Sequence, residues 1–154
     1  MSSRHETIAA ELFPSARSSM RLGLGEVDVI APGLLHVRFA GHLRVQHIEP
    51  MISAGEQMIA HGFRPLIVMD AHDVHAYEAE VRRRWQRFLV HHKDAIFGSW
   101  VLFRSPLFKM AITLINPMVG GTMKPFTKFE AFDEAVSEMT ERARRGDPLF
   151  RAAR

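Results

Sequence analysis

The stretch LIVMDAHDVHAYEAEVRRRWQRFL, residues 66–89, contains the two patterns that decide the fold. Its first four residues are a short, continuous apolar run, which is typical of a strand covered on both faces of a sheet. A polar segment, residues 70–75, follows this run. Apolar side chains then recur every three or four positions, at Tyr77, Val81, Trp85, Phe88 and Leu89. That spacing predicts an amphipathic helix, so the stretch is interpreted as a buried strand followed by a helix.

The same strand–helix unit recurs twice toward the C-terminus. The predicted elements are a strand over residues 100–103, a helix over 107–119 capped by Gly120-Gly121, a strand over 126–129, and a helix with its apolar stripe at Phe132, Ala135, Val136 and Met139. Trp85 lies on an apolar helical stripe and Trp100 in an apolar strand, so both are predicted to be core residues.

Toward the N-terminus, two consecutive strands instead of one precede the helix. Alternating apolar residues predict a strand at Val27 and Val29 and a second strand over residues 35–39, joined into a hairpin at Pro32-Gly33. Apolar residues from 48 to 62 then recur at helical spacing. The complete order is ββαβαβαβα, which predicts an α/β fold with a mixed central sheet of about five strands.

Length and composition are those of one globular domain. The 154 residues are 47% hydrophobic and 24% charged. We expect a flexible N-terminal arm over residues 1–22, the domain over 23–146, and a basic C-terminal tail over 147–154. Much of the excess positive charge lies near the C-terminus, where Arg142, Arg144, Arg145, Arg151 and Arg154 face only Asp147. The net charge of +3 does not predict specific nucleic-acid binding.

Several classes of protein and of site are excluded or disfavoured by what the sequence lacks. It has no cysteine, which excludes disulfides and thiolate metal sites. No apolar run reaches the roughly 18 residues of a transmembrane segment, and the N-terminus has no secretory pattern. The simplest expectation is a cytoplasmic protein without a cofactor.

Four segments in this order resemble the STAS superfamily, and most of all its SpoIIAA-like branch. They are residues 41–62, 66–70, 101–105 and 129–136, and the resemblance spans about residues 26–143. It implies a regulatory domain that acts through protein contacts. The branch shares its architecture with CRAL-TRIO lipid-exchange domains, which implies a carrier or sensor of a lipid or other hydrophobic small molecule as the alternative.

The phosphorylation switch of anti-sigma antagonists in this superfamily is not expected here. Those proteins are phosphorylated on a Ser or Thr at the start of the helix after the third strand. Between Ser53 and Ser99 this sequence has neither residue. Glu78 and Glu80 stand near the helix start instead, where the helix dipole favours negative charge.

The polar segment after the central strand is a candidate contact site. Asp70, His72, Asp73 and His75 could together ligate a metal or act as an acid–base pair, because imidazole and carboxylate groups do both. Their spacing matches no metal motif, so we expect no tight zinc site, and a local structural role or a partner contact is favoured. Tyr77 joins these four residues as a candidate contact.

The helix over residues 107–119 is apolar around nearly its whole circumference. Lys109, Thr113 and Asn116 form its only polar stripe. One apolar arc, at Phe108, Ile112 and Ile115, and an adjoining arc, at Leu107, Met110 and Leu114, could each cover the sheet. We expect the arc that does not cover the sheet to be deeply buried, to mediate self-association or to contact a hydrophobic ligand.

These observations favour a non-enzymatic STAS-like binding domain that forms a homodimer or binds another protein. A hydrophobic small-molecule carrier is the alternative, and an enzyme based on histidine and aspartate is third. The residues expected to contact the partner or ligand are Asp70, His72, Asp73, His75, Tyr77, Phe108, Ile112 and Ile115.

Overall fold

A mixed sheet with helices on both faces organises the chain. The computed structural model describes residues 20–22 and 25–152. The strands are β1 (Met20–Leu22), β2 (Gly25–Ala31), β3 (Leu34–Leu43), β4 (Leu66–Tyr77), β5 (Gly98–Phe103) and β6 (Met123–Phe126). The helices are α1 (Val45–Ala60), α2 (Ala79–His91), α3 (Pro106–Ile115) and α4 (Phe129–Arg144), with short 3-10 helices at Asn116–Val119 and Pro148–Phe150.

The strands follow one another across the sheet in sequence order. The pairs β1–β2 and β2–β3 are antiparallel, whereas β3, β4, β5 and β6 pair in parallel through the helical crossovers. This confirms the predicted mixed α/β sheet and its order. The short β1 lies at the end of the predicted arm and adds a sixth strand, while residues 1–19 of that arm lie outside the described residues.

Strand β4 is longer than predicted. The segment over residues 70–75 was expected to follow a strand, but it continues β4 as far as Tyr77. The reason is that β3 is ten residues long and offers backbone partners beyond Arg38. The register shifts between Arg38 and Ala40, where β4 has an extra residue. Such a bulge explains why the buried side chains Ala71 and Val74 are three positions apart.

The last strand lies earlier than the predicted 126–129. It runs over Met123–Phe126, and Phe129 already belongs to α4. The side chain of Asn116 donates to the Met123 carbonyl at 3.1 Å and accepts from the Met123 amide at 3.0 Å. This two-bond contact ties the end of the preceding helical segment to the start of β6, so the strand begins at Met123.

The two faces of the sheet have separate cores. Helices α1, α2 and α3 cover one face, with buried side chains that include Met51, Trp85 and Ile112. Helix α4 and the C-terminal 3-10 helix cover the other, through Phe132, Met139 and Phe150.

Residues of the predicted C-terminal tail take part in this second core. Phe150 is buried and stacks on Phe97 with the ring centroids 5.5 Å apart. Gly33 lies so close that a Cβ atom there would be 2.7 Å from the Cβ of Phe150, and its φ of +91° also favours glycine. Only residues 153–154 of the tail lie outside the described residues.

The two tryptophans are not equally buried. Trp85 is 7% exposed and stacks on Phe88. Trp100 is only half-buried, and the Lys124 ammonium lies 5.0 Å from its ring centroid. The prediction that Trp100 is a core residue is therefore wrong in degree, because its side of the sheet is only partly covered.

Candidate binding site

The ends of helix α3 are set by local capping residues. Ser105 caps its start, where the hydroxyl oxygen accepts from the Leu107 amide at 3.3 Å, and Pro106 occupies the first turn. The helix tightens to 3-10 geometry at Asn116–Val119, which contains Pro117, and Gly120 closes it in the left-handed conformation with φ 67°. The predicted single helix over 107–119 is thus two consecutive segments.

The two apolar arcs of α3 have different environments. Phe108, Ile112 and Ile115 are buried against the sheet. The other arc is exposed, and Met118 extends it into the 3-10 segment. We call these four residues the α3 ridge, and their exposed fractions are Leu107 46%, Met110 62%, Leu114 58% and Met118 50%. The surplus arc is therefore not buried within the subunit.

A cleft opens between α2 and α3, above the sheet; we call it the α2–α3 cleft. Its cavity volume is about 40 Å³. The lining residues are almost all apolar: Leu43, Ile48, Met51, Met69, Tyr77, Val81, Arg82, Trp85, Val101, Phe108, Ala111, Ile112, Ile115 and Met123. Tyr77, Phe108, Ile112 and Ile115 were predicted contact residues, and all four meet here.

Three of the lining residues have a polar atom. The Tyr77 hydroxyl donates to the Leu107 carbonyl at 3.2 Å, which ties the end of β4 to the start of α3. The Trp85 indole N–H is buried and has no acceptor within the described part of the chain. Arg82 is half-buried, and no acidic side chain of the described residues pairs with it. The cleft therefore has an apolar interior, and one of its lining residues, Trp85, has a buried donor without an acceptor among the described residues.

The neighbouring arginines of α2 are paired. The Arg83 guanidinium lies 3.7 Å from Glu80, and Arg84 Nε donates to Glu49 at 2.8 Å. In the sequence, Arg82, Arg83 and Arg84 form one basic run, and such a run is usually a solvated face. Sequence reasoning therefore missed Arg82, because only the positions of the acidic partners distinguish it.

The four polar residues of β4 do not form an enclosed site. Asp70 lies 3.6 Å from Arg38 of the adjacent strand and accepts from the His72 amide at 3.2 Å. His72 Nδ1 lies 3.2 Å from the Asp73 carboxylate. The His72 side chain is half-buried, whereas Asp73 and His75 are exposed. This geometry gives Asp70 a structural role and leaves the others on an open surface.

His36 lies next to this segment and was also missed by the sequence. It faces Asp28 of β2 in the strand register. Burial lowers the pKa of His36 below its ordinary 6.5, against the opposing effect of Asp70. The alternating apolar pattern of the strand does not indicate that His36 is partly buried.

The described ranges, 20–22 and 25–152, contain no candidate metal site and no candidate membrane span. No group of three or more metal-ligating side chains is arranged there to hold an ion. Nor is any helix among those residues long and apolar enough to cross a membrane.

The comparisons with known proteins identify the fold. No protein-family model matches the sequence, and no curated protein matches it. The solved structures that are similar to this chain include the following two. One is an uncharacterized DUF3478-family protein from Shewanella loihica PV-4 with a SpoIIAA-like fold, at 13% identity and a TM-score of 0.52, covering 77% of this chain and 90% of that one.

The other similar structure is the anti-sigma factor antagonist SpoIIAA in its unphosphorylated form. It shares 12% identity at a TM-score of 0.52, with 75% of this chain and 96% of that one covered. At these identities the likeness shows the fold and nothing finer. The resemblance to the SpoIIAA-like branch is thereby confirmed for the architecture: this chain has a SpoIIAA-like, STAS-type fold.

Proposed function

We propose that the protein is a non-catalytic binding domain that works through protein–protein contacts made by the α3 ridge, in the first place with a second copy of itself. The exposed ridge is the observation that carries this proposal. Four large apolar side chains on one line of a surface helix are unfavourable in water, and such a patch is typical of an interaction site. Two methionines among the four suit a surface that adapts to its partner.

The geometry of the ridge favours a symmetric contact. A ridge along one helix can pack against the same ridge of a second copy, which gives a closed, two-fold interface. A stable interface uses about 20–30 residues of each subunit, and the ridge has only four. We therefore propose a reversible dimer whose population depends on concentration.

A phosphorylation switch is not part of this proposal. Helix α2 begins after Glu78, whose carboxylate lies 3.5 Å from the Arg44 guanidinium. That pair is exposed and contributes little to stability. The negative charge at this helix start is permanent, so we propose that binding is constitutive with respect to phosphorylation at this position.

The distribution of acid–base residues supports a non-catalytic role. A general base needs a proton donor or substrate held within hydrogen-bonding reach. His72, Asp73 and His75 lie on an open strand surface, whereas the residues of the cleft are apolar or are donors. The described residues thus separate the acid–base groups from the enclosed space.

Sedimentation velocity over a range of concentrations tests the proposal. Leu114→Glu places a charge in the middle of the ridge and should leave a folded monomer. Thr113→Glu is the matched control, because it adds the same charge one position away, off the ridge, and should associate like the wild type. A wild type that stays monomeric at every concentration, or a Leu114→Glu variant that associates normally, would contradict the proposal.

A second function, binding of a hydrophobic small molecule, is favoured by one separate observation. The α2–α3 cleft lies beneath the ridge and is lined by apolar side chains from the sheet and three helices. Ligand sites are typically concave and apolar with a few placed polar groups. We propose it as an additional property of the same domain, independent of self-association.

A further inference from the structure

We infer that the α3 ridge is an oxidation site, at which a peroxide converts the thioethers of Met110 and Met118 to sulfoxides, and that the oxidised ridge no longer holds two copies together. This inference rests on the proposed self-association and names its regulation. The reactivity of the two sulfur atoms follows from their exposure and does not depend on the dimer.

The methionines whose side chains the structure describes fall into two groups. Met110 and Met118 are at least half exposed, and both belong to the ridge. The remaining ones are at most 6% exposed: Met51, Met58, Met69, Met123 and Met139. A peroxide must reach the sulfur atom in order to oxidise it, so susceptibility follows exposure. We therefore expect oxidation at the two ridge positions first.

The chain offers a peroxide no thiol in place of these thioethers. It contains no cysteine, whose thiolate is the more reactive sulfur group. In the reaction the peroxide O–O bond breaks and an S=O bond forms. The sulfur atom loses two electrons, and the peroxide leaves as water. Methionine sulfoxide reductases reverse the change, with a dithiol as the reductant, so the modification suits a reversible control.

Oxidation removes the property on which the proposed contact depends. The ridge is driven out of water because its four side chains are apolar. A sulfoxide is polar and hydrogen-bonds to water in the monomer, so burying it between two copies is unfavourable. A two-fold contact brings together the same residues of both copies, and it would therefore contain four sulfoxides. We expect the dissociation constant of the dimer to rise by about tenfold or more, which corresponds to about 1.4 kcal/mol.

The two sulfur atoms differ in their surroundings. Gln86 Nε2 of α2 donates to Met118 Sδ at 3.2 Å. A thioether sulfur is a weak acceptor, and a sulfoxide oxygen in its place would be a stronger one for the same donor. No donor of the described residues contacts the Met110 sulfur in this way. The sulfoxide of Met110 should therefore weaken the dimer more than that of Met118.

Peptide mass mapping after treatment with hydrogen peroxide tests the site. In the folded protein Met110 and Met118 should be oxidised several-fold faster than the buried methionines, because the fold shields the others. In denaturant this difference should disappear. Equal rates at exposed and buried methionines in the folded protein would overturn the inference.

Sedimentation velocity before and after peroxide tests the regulation. The wild type should change from a concentration-dependent dimer to a monomer, and reductase treatment should restore the dimer. The double variant Met110→Leu with Met118→Leu is the matched control, because it keeps the ridge apolar and all buried methionines in place. Its dissociation constant, whatever the starting value, should be the same before and after peroxide. Of the single variants, Met118→Leu should lose more affinity on oxidation than Met110→Leu.

The outcomes separate this inference from the proposed function. A wild type that dimerises equally well before and after oxidation of both ridge methionines would overturn the inference and leave self-association standing. A double variant that loses affinity on oxidation as the wild type does would have the same meaning. A wild type that is monomeric before oxidation would contradict self-association and its regulation together, and the mass mapping would still decide the oxidation site.

Discussion

The α2–α3 cleft and the polar stretch of β4 at residues 70–75 present opposite combinations of chemistry and enclosure. The β4 stretch has four side chains able to ligate metals or transfer protons, but Asp70 is paired with Arg38 and the other three lie on an open strand surface. The cleft has almost no reactive groups, but it is concave and apolar, and the buried Trp85 N–H in its lining has no acceptor among the described residues. A concave apolar surface, rather than reactive residue types in a short segment, therefore locates the better candidate site.

Placing a charged side chain in each region should give the largest difference in unfolding free energy between the two regions. Ile112→Asp puts an unpaired carboxylate under α3 and should cost about 3–5 kcal/mol or more, or unfold the domain. His75→Asp makes the same kind of change on the β4 stretch and should cost less than about 1 kcal/mol, because it is solvated. Urea unfolding measures both. Similar losses for the two variants would remove the contrast between enclosed and open regions.

The two tryptophans sharpen the comparison between the two faces of the sheet. Trp85→Ala removes a buried ring from the cleft wall and should cost about 3–5 kcal/mol. Trp100→Ala removes a half-buried ring from the opposite face and should cost roughly 1–2 kcal/mol. Denaturant midpoints with unchanged m-values would measure the two losses. An equal or larger loss at Trp100 would contradict the partial coverage of its face of the sheet.

The stability of the protein should depend on pH through His36 of β3, which lies next to the polar stretch of β4. Burial lowers its pKa in the folded protein, so below pH 6.5 the unfolded chain binds a proton that the folded chain does not. Stability should therefore fall as the pH drops below 6.5, until the lowered folded-state pKa is reached. His36→Gln should make this fall shallower, and His92, whose pKa burial also lowers, should retain part of it.

Unfolding free energies measured between pH 7.5 and pH 5 compare the two proteins. Identical slopes for the wild type and His36→Gln would contradict the assignment of His36 to a partly desolvated position.

Zinc binding to the polar stretch of β4 should be the smallest of these effects. Asp70 is already paired with Arg38, and His72 and Asp73 contact each other on the surface. We expect no submicromolar zinc affinity in a calorimetric titration. The double variant His72→Ala and His75→Ala should bind no differently. Tight binding that this variant abolishes would restore the metal interpretation of the segment.

The order of elements was predictable because it follows from hydrophobic period alone, and the apolar run at residues 66–69 is the predicted central strand. The period did not decide which apolar arc of α3 faces the sheet, and the structure buries Phe108, Ile112 and Ile115. The extent of β4 was not predictable, since residues 70–75 pair only because β3 is long enough to receive them. The last strand was misplaced because the Asn116 contact that fixes its start is not visible in a local pattern.

The candidate site was predictable only in part. Four of the predicted contact residues line the cleft, because apolar positions on α3 and the end of β4 were recognised. Arg82 and the unpartnered Trp85 N–H were not, because their significance depends on what surrounds them in space. Pairing of charges and satisfaction of donors are tertiary properties, which periodicity does not encode.

Disulfide formation between single cysteines tests the central claim, that the α3 ridge joins two copies. The chain has no cysteine, so Leu114→Cys introduces a thiol that can pair only with another molecule. A disulfide requires Cα atoms within about 7 Å, which a two-fold ridge contact provides. Under mild oxidation we expect a covalent dimer from Leu114→Cys and none from Glu138→Cys, an exposed position on α4 across the sheet. Equal yields from the two variants, or none from Leu114→Cys, would contradict the claim.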